Sequence, residues 1–276
     1  MCTGLAPFQL TAIGGPFGRR LAPRRAWIDE LPWDEDLPPS LDARQVWTAT
    51  AFSEYASAAA FAEIASALLA AGAPIDLVAA AGDFVVDEIV HTELAARVAA
   101  KLGGAVELEV DLTRLVRPAV ARDPLLAAAE LIVRTSCVGE ALTVPILKLS
   151  RRLAGSALVD AAIATVVADE SHHAQLGWWF LDWAADRLDD DARAHLGRVA
   201  GGAIRAFAPM LREQPCTTSH LGTLGCADYD PAFTTAALRS VAHPLAARGI
   251  AVPAADLAAV GVGTPGGLAS DQRAIQ

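Results

Sequence analysis

Two short runs in this chain hold residues that could do chemistry together: Asp87-Glu88-Ile89-Val90-His91 and Asp169-Glu170-Ser171-His172-His173. Each carries Glu-x-x-His in a stretch rich in Ala, Val and Leu. Three residues apart on a helix, a glutamate and a histidine share one face. Burying both among apolar side chains is costly unless something compensates the charge and the polar nitrogens. One copy is a weak signal. Two copies, each preceded by Asp, point to a metal ion. The plain alternative is incidental charges on two surface helices, and the apolar faces argue against it.

Helical geometry supplies the remaining members. Trp47, Ala51, Ala58, Phe61, Ala65 and Leu68 recur at three- and four-residue spacing and define an inner face that includes Glu54. Glu63, nine residues on, falls about 180° round the helix at ~100° per residue and should face solvent. With a helical turn near Ala73, Glu54 lies 19 residues before it, and Glu88 and His91 lie 15 and 18 after it. With a second turn near Gly155, Glu140 lies 15 before it, and Glu170 and His173 lie 15 and 18 after it. Both hairpins therefore place two carboxylates and one imidazole at one level.

Four carboxylates and two imidazoles converging in this way make a dinuclear site. Carboxylates bridge two cations and cancel their charge, and each imidazole caps one ion. Oxygen-rich ligation with one nitrogen per ion suits iron or manganese better than zinc. Asp87 and Asp169 are expected to accept the free N–H of the ligand histidines. Cys137, one turn before Glu140, reads either as a cavity thiol or, more plainly, as a small core residue. Tyr55, Trp178, Trp179 and Trp183 read as packing residues, with electron transfer as the alternative. His172, His195, His220 and His243 have no partner spacing. Glu130 lies about 80° off the face of Glu140 and reads as solvated or capping.

The elements that must position these residues follow from caps and periodicity. The first long helix is expected from Asp42 as N-cap to Ala71, before Gly72. The second runs from Pro74 and Asp76 to about Lys101. Its inner face is Leu77, Ala81, Phe84, Val85, Ala95, Val98 and Leu102. Residues 103–122 break the pattern and are expected to hold a short strand. Twenty extended residues reach up to ~66 Å, enough to return along a helix of ~40 Å as a long crossover. Asp123-Pro124 opens the third helix, to about Leu153, with a kink expected at Pro145. The fourth runs from Ser156 to about Leu188, and a fifth from Asp189 to about Glu213. Residues 214–228 are expected as a loop and 231–248 as helix.

The resulting organisation is an extended N-terminal arm over 1–41, a four-helix unit over 42–188, accessory helices over 189–248 and a flexible tail over 249–276. Phe8, Phe17, Trp27 and Trp33 are candidate anchors of the arm. Its Arg19, Arg20, Arg24 and Arg25 read as solvated. No second core is evident.

Composition sets the remaining bounds. The net charge of −10 and the lack of a basic face argue against a nucleic-acid binder. No uncharged apolar run reaches the ~18–20 residues of a membrane span. Cys2, Cys137, Cys216 and Cys226 show no Cys-x-x-Cys spacing. Cys216 and Cys226 could pair, but reduced thiols in the cytoplasm are the plainer expectation.

The six residues resemble the signature of the ferritin-like carboxylate-bridged diiron superfamily, a Glu on two helices and Glu-x-x-His on the other two. The stretches SEYASAAAFAEIASALLAAGAP, DEIVH and SCVGEALT are similar to those of bacterial ferritin-like domain proteins. The resemblance spans roughly residues 42–188. It implies an all-α ferritin-like four-helix bundle with one long crossover. It also implies two Fe ions, or Mn or mixed Fe/Mn, held by Glu54, Glu88, His91, Glu140, Glu170 and His173. The implied activity is that of an O2-activating oxidase or oxygenase working on a small organic substrate with an electron donor. A homodimer is the expected assembly. The arm and the segments after 188 favour an enzyme over a minimal storage protein. A ferroxidase, a manganese catalase or a bundle that keeps the site for stability alone are the alternatives. Two departures bear on subgroup. Val166 stands where arylamine N-oxygenases have an extra histidine, and there is no four-cysteine iron site of the rubrerythrin kind.

Overall fold

Each long helix starts and stops where its own residues dictate. The computed structural model describes residues 5–212 and 220–262, and for Phe17 and residues 209–212 it gives the backbone alone. The chain is mostly helical. Helix α1 spans Gly15–Arg25, and α2 spans Leu41–Ala70. Ser40, rather than Asp42, caps α2, its hydroxyl accepting from the Ala43 N–H at 3.2 Å. Gly72, at φ 63°, turns the chain after it. Helix α3 (Ile75–Lys101) follows directly. The crossover of residues 103–122 contains strand β2 (Glu109–Val110), which pairs antiparallel with β1 (Ala6–Pro7).

The third helical run is interrupted. Helix α4 (Pro124–Ile132), capped by Asp123, leads into a π-helical segment, Val133–Glu140, and then α5 (Ala141–Arg152). The irregularity expected at Pro145 lies earlier, and α5 runs through Pro145. Helix α6 (Ala157–Trp183) is capped twice. Ser156 accepts from the Val159 N–H at 3.2 Å, and Glu35 accepts from the Leu158 N–H at 2.7 Å. Hydrogen bonds from Leu158, Ser156 and Ala157 hold Glu35 below the usual carboxylate range, against a smaller effect of burial. Helices α7 (Asp190–Arg212), α8 (Cys226–Ala236), α9 (His243–Ala246) and α10 (Ala254–Ala259) complete the described elements, with a second π-helical stretch at Ala237–Ala242 between α8 and α9.

Packing brings the long runs side by side. Helix α2 lies against α3 and α4, α3 against α6, and α6 against α5 and the first π segment. Helix α7 covers the outer side of that segment, and α8 packs on α5. Two apolar clusters fill the interior. One includes Phe61, Leu77, Phe84, Ile132, Leu142 and Phe180. The other includes Trp47, Val90, Leu94, Val98, Val159 and Ile163. Gly177 allows α6 to approach the π segment, since a Cβ there would lie 2.5 Å from Cys137 Sγ.

Several expectations are corrected. The arm is not simply extended, because Gly15–Arg25 is helical and Ala26–Glu30 forms a 3-10 turn. Its anchors are nevertheless apolar. Phe8 meets Phe52 and Tyr55 edge-on at 5.3 and 5.6 Å, and Trp27 and Trp33 pack on the second cluster. Phe17 lies outside the described side chains. Arg24 and Arg25 are not free in solvent: Arg24 pairs with Asp83 and Asp87, and Arg25 with Glu93. The tail is ordered as far as Val262, with Asp256 of α10 paired to Arg205 of α7; residues 263–276 lie outside the described residues. The expected loop is helical from Cys226 onward. Cys226 is disulfide-bonded, and its partner lies outside the described residues. The expectation of reduced thiols, and the compartment argued from it, loses its support there. Among the described residues no helix is long and apolar enough to cross a membrane.

Candidate metal centre

The six residues read from the sequence converge between α2, α3, α6 and the end of the π segment. Glu88, His91, Glu140, Glu170 and His173 are buried, and the Glu54 side chain is 12% exposed. Their ligand atoms form two groups, each lying within 4.8 Å: Glu54, Glu88, His91 and Glu170, and Glu88, Glu140, Glu170 and His173. Glu88 and Glu170 belong to both. The arrangement has an approximate two-fold character, with Glu54 and His91 at one end and Glu140 and His173 at the other.

The histidine rings are oriented alike. His173 Nδ1 lies 3.0 Å from Glu88 Oε1 and 2.9 Å from Glu170 Oε2. His91 Nδ1 lies 3.5 Å from Glu170 Oε1 and 3.8 Å from Glu88 Oε2. Both Nε2 atoms point away, toward aspartates. His91 Nε2–H donates to Asp169 at 3.0 Å, and His173 Nε2 lies 3.6 Å from Asp87 Oδ2. Each aspartate therefore faces the histidine of the other Glu-x-x-His helix. An outer carboxylate fixes the ring and leaves Nδ1 as the inward donor atom.

The electrostatics follow from enclosure. Burial, together with the nearby Glu88 and Glu170, pushes the Glu54 carboxyl well above its ordinary pKa. Burial does the same to Glu140, with Glu170 and Glu88 adding to it. Burial opposes charge on His173, but the carboxylates of Asp87, Glu170 and Glu88 beside it outweigh that and raise the ring to about 12. His91 is likewise raised, against its burial, by Asp169, Glu170 and Glu88. Burial also pushes Glu170 upward, yet the two histidines prevail and hold its carboxyl well below the usual range.

The protein alone leaves this site incomplete. Both Glu88 carboxylate oxygens and His91 Nδ1 are buried with no hydrogen-bond partner. An unpartnered buried polar group costs about 1–3 kcal/mol, and a charged one more. Glu88 belongs to both ligand groups and His91 to one of them. Carboxylate oxygens and imidazole nitrogens are the donors that divalent first-row cations prefer, so the residues present fit metal ions.

No family model matches this chain, and no curated protein or solved structure matches it either.

The surroundings distinguish the two ends. At the His173 end, Phe61 meets the imidazole edge-on at 5.1 Å and Phe84 lies against it at 4.3 Å. At the other end, Glu54 and His91 border a cavity of about 40 Å³ whose walls include Trp47, Leu94, Ile163, Val166 and Gly222. Trp47 Nε1–H donates to Leu221 O at 2.8 Å, and a Cβ on Gly222 would lie 2.9 Å from Trp47 Cζ2. The segment at Leu221 and Gly222 thus closes one wall.

Other sequence candidates fall elsewhere. Cys137 is fully buried, is in neither ligand group, and burial raises its thiol pKa. It is a core thiol packed on Gly177. Glu130 is buried rather than solvated, and accepts from the Val120 and Ala121 N–H groups and from His195 Nε2. This gives His195 a partner that helical spacing did not indicate. His172 is exposed, and His220 Nδ1–H donates to Leu153 O. Trp183 and Trp178 carry the guanidinium groups of Arg187 and Arg248 on their faces. The residue that sequence reasoning missed at the centre is Arg24, which contacts Asp87 at 2.5 Å. The available signal was Asp83 and Asp87, two acids one turn apart, with a basic group upstream.

Proposed function

We propose that this chain is an O2-activating non-haem diiron oxidase or oxygenase with its helices in the ferritin-like arrangement that the sequence resembles. The observation carrying this reading is the sharing of Glu88 and Glu170 between two ligand groups whose histidines are oriented alike. Glu54 and His91 would hold one iron ion, Glu140 and His173 the other, and Glu88 and Glu170 would span both. Iron(II) bound there supplies electrons for the reduction of dioxygen, chemistry that no side chain provides. Asp169 and Asp87 orient His91 and His173. The two apolar clusters keep bulk water from the carboxylates and strengthen every charge interaction inside. Glu54 and His91 border the cavity, so an incoming molecule would meet that half of the centre first. A small organic substrate and an external electron donor complete the proposed reaction.

The cavity favours a second reading. A water needs roughly 10–15 Å³ measured in this way, so about 40 Å³ takes some three water-sized groups. Dioxygen or peroxide fits. A larger organic molecule requires the wall of Trp47, Leu221 and Gly222 to move. A ferroxidase, or a manganese or mixed-metal catalase, needs no such movement.

The test is to load the chain anaerobically with iron(II), mix it with dioxygen and measure uptake with and without an external reductant. Catalytic uptake that requires reductant and disappears in Glu170→Ala supports the oxidase reading. A single turnover that yields only ferric iron, or peroxide disproportionation by manganese-loaded protein, favours the second. No iron-dependent uptake and no peroxide chemistry would sink both.

A further inference from the structure

Arg24 lies 63 residues before Asp87 in sequence, yet it contacts Asp87 Oδ1 at 2.5 Å while its other nitrogen reaches Asp83 at 2.8 Å. The second oxygen of Asp87 faces His173 Nε2 at 3.6 Å. His173 Nε2 is buried and makes no closer hydrogen bond. The equivalent pair at the opposite end differs. Asp169 accepts from His91 at 3.0 Å, is 36% exposed, and has no arginine or lysine ion-pair partner among the described residues. One half of an otherwise repeated centre is therefore tied to the N-terminal helix and the other half is not.

We propose that Arg24 is a positioning residue for the metal centre: by fixing Asp87 it sets the orientation of His173 and so the affinity of the Glu140–His173 half for its ion. This rests on the two-ion reading above. The argument is geometric. A carboxylate gripped at one oxygen by a guanidinium loses rotational freedom, and its other oxygen is held toward the ring. Outer partners of metal-binding histidines are worth roughly 10–100-fold in affinity. The ion pair contributes little to folding by itself, because solvent screens a pair whose guanidinium is 40% exposed. Its loss should therefore appear in metal binding rather than in thermal stability. The contact also makes the two positions unequal. One is gripped through Asp87 and enclosed by Phe61 and Phe84; the other borders the cavity.

The experiment is a cobalt(II) titration of the full chain, followed by visible absorption and by calorimetry, with His173→Gln identifying the step that belongs to that half. Arg24→Gln should weaken that step by roughly 10–100-fold and leave the other within about twofold. Arg24→Lys should recover most of the loss. Asp83→Asn, which breaks the neighbouring ion pair of the arm and spares the Asp87 contact, should behave as the unsubstituted chain. The proposal is overturned if Arg24→Gln leaves both steps unchanged. It is also overturned if Asp83→Asn and Arg24→Gln weaken both steps alike, which would assign the effect to docking of the arm. An unsubstituted chain that binds no cobalt overturns the two-ion reading, and this inference with it.

Discussion

Loading two divalent ions into this centre should expel three or four protons per chain. In the metal-free state Glu54 and Glu140 are pushed well above the ordinary carboxyl pKa by burial and by the neighbouring carboxylates. Neighbouring carboxylates outweigh burial to raise His91, and to raise His173 to about 12. A cation takes the same lone pairs, so protons and metal compete. Each displaced proton is worth 1.36 kcal/mol per pH unit, and three or four give about 4–5 kcal/mol per pH unit for the pair of ions. Affinity should rise steeply with pH. The sign for folding is opposite. The raised histidines stabilise the metal-free fold fully below their ordinary value of 6.5, and this stability is lost as pH climbs toward the folded value. The raised glutamates act in the same sense above 4.5. Glu170, held low, acts in the reverse sense and loses its contribution as pH falls below 4.5. Metal-free protein should therefore be most stable near pH 4.5, where the raised and lowered carboxyls balance, and weaken toward pH 9, while the gain in melting temperature on metal addition widens. Calorimetry at pH 7 in two buffers of different ionisation enthalpy counts the protons directly. Release of one proton or fewer per pair of ions would refute the reasoning.

Three further outcomes follow from single side chains. Glu88→Gln keeps the shape but removes the charge of a carboxylate that belongs to both ligand groups; calorimetric titration should show loss of two-ion binding. Gly177→Ala brings a Cβ within 2.5 Å of Cys137 Sγ and 3.1 Å of the Cys137 backbone nitrogen; thermal melts should show a loss of about 1–3 kcal/mol, since α6 must shift away from the π segment that ends at Glu140. Asp169→Asn exchanges the acceptor of the His91 N–H at 3.0 Å for a weaker one, and a metal titration should show one of two steps weakened by roughly 10–100-fold.

The six residues were legible because local rules suffice to find them. Glu-x-x-His fixes a shared face, and counting from the turns near Ala73 and Gly155 fixes a shared level. The caps at Asp123 and Ser156 mark helix starts because a side-chain oxygen answers a backbone N–H three residues on. What stayed hidden depends on contacts between distant segments. Which aspartate meets which histidine is set by the packing of α3 on α6, across 78 residues of sequence. The Arg24 contact and the Glu35 cap on α6 reach across 63 and 123 residues. Glu130 looked solvated on a helical wheel because the crossover that buries it, at Val120 and Ala121, has no periodic pattern to place it. The π segment is similar. Nothing in Val133–Glu140 signals a changed helical register, and enclosure by α6 on one side and α7 on the other distinguishes it from an ordinary turn of helix.

The central claim is that Glu88 and Glu170 are shared by two metal positions. Elemental analysis after anaerobic reconstitution with excess iron(II) and removal of unbound metal tests it most directly. The account predicts about two ions per chain, falling below about one in both Glu88→Ala and Glu170→Ala, because each substitution removes a ligand from both positions. Fewer than about one ion in the unsubstituted chain, or full loading retained in both variants, would contradict it.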